Sequence, residues 1–316
     1  MTTPKPVRKD SKVALIGPAS RIKPEIVESL ARLYRERPEE MPGGELLVYP
    51  SALDENASGS YAAALSQRVA DFNDAWCRDD VDLIICARGG YGCVHLLDYI
   101  DSDFIAMHPK WLVGFSDVSA LHALLFKCGI ASIHGGMAKQ LVENTDSGFG
   151  AYRKAFKGLL EATTPRLEYV LPSHGYNIPG EASGVLIGGN LAVLNGLAAT
   201  KYDLMSECCH KDAILFLEDV SEPIYAVERM LYRLHLQGVL AKAKGILIGQ
   251  FTEWNPDRNH ADMYSMIHER FMEWGIACPV AFDFPVGHNT RNVPLVEGLP
   301  ARLSVSPSVT TLRFPV

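Results

Sequence analysis

Short apolar runs alternate with stretches of helical periodicity across the first 130 residues, and this alternation constrains the fold more than any other feature. Lys12–Gly17 (KVALIG), Leu46–Tyr49 (LLVY), Asp82–Ala87 (DLIICA) and Trp111–Phe115 (WLVGF) read as buried strands. Between or after them, Pro24–Arg35 carries Ile26, Leu30 and Leu33 at helical spacing. Tyr61–Arg78 repeats Leu65, Val69, Phe72 and Trp76 every three or four residues. Val118–Cys128 lines up Leu121, Leu124, Leu125 and Cys128 before a stop at Gly129. Strands that alternate with helices predict an α/β fold with a parallel sheet covered by helices on both faces.

The chain has 316 residues, and domains commonly run to about 100–200, so two are expected. The first spans 1–145. Over 146–180 the texture changes: Pro165, Pro172, Pro179 and several glycines predict an irregular interdomain connection. The second domain, 181–316, has apolar runs at Ala213–Leu217, Gly245–Ile248 and Val280–Phe284. It also has a strong helical pattern over Ile224–Gln237, with Val227, Met230, Leu231 and Leu234 on one face. It reads as a mixed α/β domain, less regular than the first.

Composition excludes several classes of function. Formal charge is -7 with no basic run, which argues against a nucleic-acid partner. No stretch approaches the ~20 apolar residues of a membrane span. The opening MTTPKPVRKDSKVALIG has no apolar core of a secretory signal. Seven cysteines, an odd number with no C-x-x-C pair, suit reduced thiols. A cytoplasmic location is the expectation.

Four segments could carry chemistry. Gly114-Phe115-Ser116-Asp117 ends an apolar strand and precedes an amphipathic helix. A serine there stands on a tight turn where open α/β sheets place ligands, beside helix N–H groups that suit an oxyanion. Val118 stands where a hydrolase elbow has its second glycine, and Ser116 or Asp117 could equally be a helix cap. Arg88-Gly89-Gly90-Tyr91-Gly92 follows a strand and could bring backbone N–H groups to an anion, or form a plain turn. It lacks the G-x-G-x-x-G spacing of a dinucleotide loop. Glu218-Asp219 and Gly287-His288 each follow an apolar run, where solvated turn residues are common. Together they supply a nucleophile, an acid and a base, in the order Ser…Glu…His known from one convergent serine triad. Metal chemistry is not expected: Glu207-Cys208-Cys209-His210 is rich in ligand types, but neighbouring residues diverge and no H-E-x-x-H occurs.

These segments resemble the LD-carboxypeptidases of murein recycling, peptidase family S66, which also holds the microcin C immunity peptidases. The resemblance rests on Leu15–Ser20 (LIGPAS), Ala87–Gly92 (ARGGYG), Val113–Asp117 (VGFSD), His134-Gly135-Gly136-Met137, Gly184–Leu191 (GVLIGGNL), Phe216–Val220 (FLEDV), Tyr225–Leu231 (YAVERML) and Gly287-His288. It implies an N-terminal Rossmann-like nucleophile domain and a C-terminal domain with a barrel-like sheet. It implies Ser116 as nucleophile, with Glu218 and His288 as its partners. Oxyanion donors would come from the backbone of Asp117 and of the Gly89-Gly90 turn. No cofactor and a homodimer are implied as well. The implied substrate is a murein peptide, cut between the L-centre of diaminopimelate or lysine and a terminal D-alanine.

A carboxypeptidase must hold the free carboxylate of its substrate, and a guanidinium does this with paired hydrogen bonds. Arg88 is the candidate, with an exposed structural arginine as the alternative. The immunity peptidases act on aminoacyl-adenylate analogues and carry aromatic residues on an extra loop to stack the base. Before Gly184 this chain offers only Tyr176, and Trp254 lies later, so murein is favoured. A non-catalytic peptide-binding protein on the same fold is the remaining alternative, against which the intact Ser, Glu and His argue.

Overall fold

The computed structural model describes residues 1–53, 59–142, 149–289 and 291–314. The chain forms two compact units, Met1–Pro165 with Val293–Val296, and Arg166–Asn292 with Glu297–Val316.

In the first unit the chain runs β1 (Lys12–Ile16), α1 (Pro24–Glu36), β2 (Glu45–Val48), α2 (Leu65–Cys77), β3 (Val81–Cys86), α3 (Ser102–Met107), β4 (Trp111–Gly114), α4 (Ser119–Lys127), β5 (Ser132–His134), α5 (Ala138–Val142) and α6 (Phe149–Glu161). Pairings β2–β1, β1–β3, β3–β4 and β4–β5 are all parallel. Every residue of β4 and β5 is buried, and all but one of β1 and of β3, as expected for strands covered on both faces. The less buried β2 lies at the sheet's edge. Strand order reverses between β1 and β3, and the crevice beyond the strand ends at such a reversal is where open α/β sheets bind ligands. Helix α2 begins at Leu65, not Tyr61, because the preceding residues are held by the β1 turn. Ser20 and Tyr61 form an isolated bridge, and the Ala62 N–H donates to the Ala19 carbonyl at 2.8 Å.

In the second unit follow β6 (Leu167–Pro172), β7 (Gly180–Asn190), α7 (Leu191–Gly196), β8 (Ala213–Val220), α8 (Ile224–Leu236), α9 (Val239–Lys242), β9 (Gly245–Thr252), α10 (Met263–Glu273) and β10 (Val280–Ala281). The chain then gives β11 (Leu295–Glu297) to the first sheet, whose order is β11-β5-β4-β3-β1-β2. It ends with β12 (Pro300–Val305) and β13 (Val309–Phe314). The second sheet runs β10-β9-β8-β7-β12-β13-β6. Its first four strands are parallel and its last four antiparallel, with β7 in both sets. β8 and β9 are buried almost throughout, whereas β12 and β13 alternate buried and more exposed residues and β6, at the edge, alternates half-buried and exposed ones.

The barrel-like expectation needs correction. The sheet is mixed and open, with β10 and β6 as its edges. An isolated bridge between Ile178 and Val280, and Tyr169 against Phe284 at 6.0 Å between ring centroids, draw the edges toward each other without a closing ladder. The 146–180 segment also departs from an irregular connection, since it holds α6 and β6. Phe156, Leu159 and Leu160 bury one face of α6, and Pro165 falls after that helix and before β6. Among the described residues no helix is long and apolar enough to cross a membrane.

Candidate active site

Ser116 follows β4 on a single 3-10 turn, Ser116–Val118, that leads into α4. Its φ is +65°, a left-handed conformation that costs a non-glycine residue about 1–2 kcal/mol. Strain of this kind survives only where the surroundings over-determine the backbone. Those surroundings are visible. From Trp111 to Phe126 every residue except Ser116 is buried. Below the turn, His122 bridges the Gly114 carbonyl at 2.9 Å and the Ser132 hydroxyl at 2.8 Å. A carbonyl can only accept, so Nε2 carries the proton. Burial lowers the His122 pKa to about 4, so the ring is a neutral structural pin.

The Gly-rich turn after β3 packs directly on this serine. A Cβ at Gly89 would lie 2.8 Å from Ser116 Cβ and 3.0 Å from its Oγ. Gly90 has φ +105°, and a side chain there would run into Ser20. Ser20 stitches the β1 and β3 turns together: its N–H donates to the Gly89 carbonyl at 3.1 Å, and its Oγ accepts from the Tyr91 N–H at 3.2 Å. Asp117, buried beside Ser116 on the same turn, accepts from the Cys93 N–H at 2.7 Å. Burial raises the Asp117 pKa against the pull of the Cys93 bond. Arg68 is buried as well, and its guanidinium donates to the carbonyls of Ala63 (3.1 Å), Pro18 (2.7 Å) and Gly92 (3.0 Å). Ser20, Asp117 and Arg68 thus hold three loops around one half-buried serine. Arg88 is exposed and donates from one terminal nitrogen to the Arg21 carbonyl at 2.9 Å.

In the second unit, Glu218 and His288 meet. Glu218 Oε2 lies 2.8 Å from His288 Nδ1, and the glutamate is fully buried. Glu218 stands inside β8, one residue past the predicted strand end. The β8–β9 register shifts across it, from Leu217↔Ile248 to Asp219↔Phe251, so β9 carries an extra residue here. Bulges of this kind re-aim side chains and gather next to active sites. Gly287, with φ +124°, brings the backbone of the His288 loop against the acid; a Cβ there would fall 2.9 Å from Glu218 Oε2. The buried Asn292 accepts from the Gly287 N–H at 3.0 Å and fixes that loop.

Burial disfavours the charged imidazole of His288. The hydrogen bond and charge of Glu218, with Asp219 and Glu253 further off, outweigh it and raise the His288 pKa. Asp219 faces the other way, as strand neighbours do. It accepts from Asn190 Nδ2, the Ala192 N–H and the Val220 N–H, each at 2.9 Å. Burial and the adjacent Glu218 push its carboxyl up to about 7 against those donors.

Profiles of the LD-carboxypeptidase N-terminal domain and C-terminal domain match residues 13–135 and 183–303. The chain belongs to the LD-carboxypeptidase family. It is 33% identical over 291 residues to the murein tetrapeptide carboxypeptidase of Pseudomonas aeruginosa, covering 90% of each chain. It is similar in structure to the muramoyltetrapeptide carboxypeptidase from Oxalobacter formigenes: TM-score 0.82, 27% identity, 96% of this chain and 98% of that one. It is also 27% identical over 266 residues to the microcin C7 self-immunity protein of Escherichia coli, covering 74% and 75%.

In this family member, sequence reading missed three supports of the site. Arg68 carries no local signal, because two of its three carbonyl partners, Pro18 and Gly92, lie on loops distant in sequence. Asn292 looks like an ordinary loop residue. Ser20 sits within the LIGPAS segment, but no spacing gives its role. The ligand-rich Glu207–His210 segment forms a 3-10 turn in which Cys208 is buried and its thiol pushed up to about 12, while Glu207 pairs with Lys211 at 3.7 Å.

Proposed function

We propose that the protein is a serine-type LD-carboxypeptidase that releases D-alanine from murein tetrapeptides in cell-wall recycling. The carrying observation is the buried Glu218–His288 pair at 2.8 Å, in a chain that also presents Ser116 on a strained turn. In this reading Ser116 Oγ attacks the carbonyl of the L-centre while His288 Nε2 takes the hydroxyl proton. Glu218 holds the Nδ1 proton and supports the imidazolium. Backbone N–H groups of Asp117 and of the Gly89-Gly90 turn stabilise the oxyanion. The C–N bond then breaks, His288 returns the proton to the leaving amine, and D-alanine departs. Water, deprotonated by His288, cleaves the ester and frees the tripeptide. Arg88 would take the terminal carboxylate with the guanidinium nitrogens not engaged by Arg21.

The murein reading is favoured over a nucleotide-like substrate by the state of Tyr176. Its ring stacks on His268 at 5.0 Å between centroids and its carbonyl meets His268 Nδ1 at 3.1 Å, so this aromatic serves the interior of its own unit. Incubation with a tetrapeptide ending in D-alanine should yield the tripeptide and D-alanine by mass, with little turnover of the C-terminally amidated peptide. Equal turnover of both would remove the carboxypeptidase reading.

Gly89→Ala tests the nucleophile's support. The added methyl has no room beside Ser116 and must displace it. A misplacement of about 1 Å costs on the order of 100-fold in rate. We expect a drop of that size in kcat, with an unchanged far-UV circular dichroism spectrum; a wild-type rate would show that the turn bears no relation to catalysis.

A further inference from the structure

A second cavity lies within the C-terminal unit, beside the segment that carries His288. It has a volume of about 270 Å3. Asp283 and Arg291 both line it, along with Asn289 and Gln250, over apolar walls that include Phe282 and Phe284. Two unlike charges share this small space, yet they form no ion pair with each other, and among the described residues the Arg291 guanidinium has no partner.

The Asp283 carboxylate is set in place by its neighbours, while the Arg291 side chain is exposed. Asp283 has φ +56°, and Gln250 Nε2 donates to its Oδ1 at 2.6 Å while the Tyr264 hydroxyl lies 3.2 Å from the same oxygen. Both contacts fall on Oδ1, which leaves Oδ2 for a ligand. The Arg291 N–H donates to Asn289 Oδ1 at 2.9 Å.

We propose that this cavity binds a zwitterionic α-amino-acid group, with its ammonium on Asp283 and its carboxylate on Arg291. A guanidinium suits a carboxylate through paired hydrogen bonds, and a half-solvated carboxylate suits an ammonium. A single charge on the ligand would leave one of the two residues unanswered. Resting on the proposed function, the inference goes on to choose between substrates. In a diaminopimelate residue the L-centre carries the scissile carbonyl, and the far end of the side chain carries both an ammonium and a carboxylate. A lysine side chain ends in the ammonium alone. Hence the cavity selects diaminopimelate over lysine at the position before D-alanine.

The test compares kcat/KM for diaminopimelate- and lysine-containing tetrapeptides in wild type, Arg291→Gln and Asp283→Asn. Asparagine tolerates the left-handed backbone of position 283, so that variant should keep its fold. Wild type should favour the diaminopimelate peptide by about 10-fold or more, as expected for one hydrogen-bonded charge. Arg291→Gln should collapse that ratio toward one, whereas Asp283→Asn should lower turnover of both peptides. Equal losses on both peptides in Arg291→Gln, or an unchanged ratio, would overturn the assignment.

The same zwitterionic chemistry occurs in the released amino acid. Competitive inhibition by free D-alanine that Arg291→Gln relieves, with no preference between peptides, would place the product there instead and refute the side-chain assignment. Calorimetry on Ser116→Ala protein with the intact diaminopimelate and lysine tetrapeptides separates the two readings, because within a peptide only diaminopimelate keeps a free α-amino-acid group on its side chain. Tighter binding of the diaminopimelate tetrapeptide, lost in Ser116→Ala/Arg291→Gln, would uphold the cavity even if no peptide were cleaved. Equal binding of both tetrapeptides, or of neither, would refute it whatever the enzyme does.

Discussion

Ser116→Ala is expected to reduce D-alanine release by about 100,000-fold or more, because the proposed reaction has no other nucleophile. The variant should fold, since the change removes a single hydroxyl from a half-buried residue and the rest of the turn is held by His122, Asp117 and Ser20. It should melt at or slightly above the wild-type temperature or slightly below it, by a shift no larger than a few degrees, because alanine bears the same left-handed strain. His288→Ala should show a loss of similar size. The decisive comparison is Ser116→Ala/His288→Ala. Groups that act as one unit lose their combined contribution when either is removed, so the double variant should be little slower than each single one. Multiplicative losses in the kinetics would mean that Ser116 and His288 serve separate steps.

The parts of the fold that were legible in the sequence are those with local causes. β1, β3 and β4 announce themselves as unbroken apolar runs because both of their faces are covered. Ser116 could be proposed because a serine after such a run and before an amphipathic helix must stand at the sheet's carboxyl end. α8 was legible to within one residue, since its buried face repeats Val227, Met230, Leu231 and Leu234.

What escaped has non-local causes. β12 and β13 alternate weakly and gain their place from pairing with β7 and β6, more than a hundred residues earlier in the chain. Nothing local announces that β11 returns to the first sheet. The positive φ of Ser116 is matched by the bare Gly89 packed beside it, a close approach between two different strand ends that no local pattern shows. The extra residue in β9 opposite Glu218 is invisible without the register of both strands. The second sheet shows the limit of resemblance: its edges approach through Ile178 and Val280, yet among the described residues no ladder closes a barrel.

Glu218→Gln should slow D-alanine release by about 10,000-fold, the scale seen when a triad carboxylate becomes an amide. The shape of the site is kept, but two things change. Gln offers either its oxygen or its NH2 group to His288 Nδ1, so the correct tautomer is no longer enforced. The charge that supports the imidazolium is also gone. Glu218 is the main influence raising the His288 pKa against burial, so its removal must lower that pKa. The sign for catalysis follows from the base needing to be unprotonated. In wild type kcat/KM should rise with pH through a midpoint above the ordinary imidazole value of about 6.5. In Glu218→Gln the residual activity should rise through a lower midpoint. Linkage gives the matching stability effect: the pair stabilises the folded chain fully below the unfolded imidazole pKa and loses that contribution as pH climbs through the raised folded value. The difference in melting temperature between wild type and Glu218→Gln should therefore shrink toward alkaline pH. Asp219 cannot take over, because its oxygens are committed to Asn190, Ala192 and Val220 on the opposite face of β8. A near-normal rate in Glu218→Gln, or a midpoint that does not move, would show that His288 does not rely on this carboxylate.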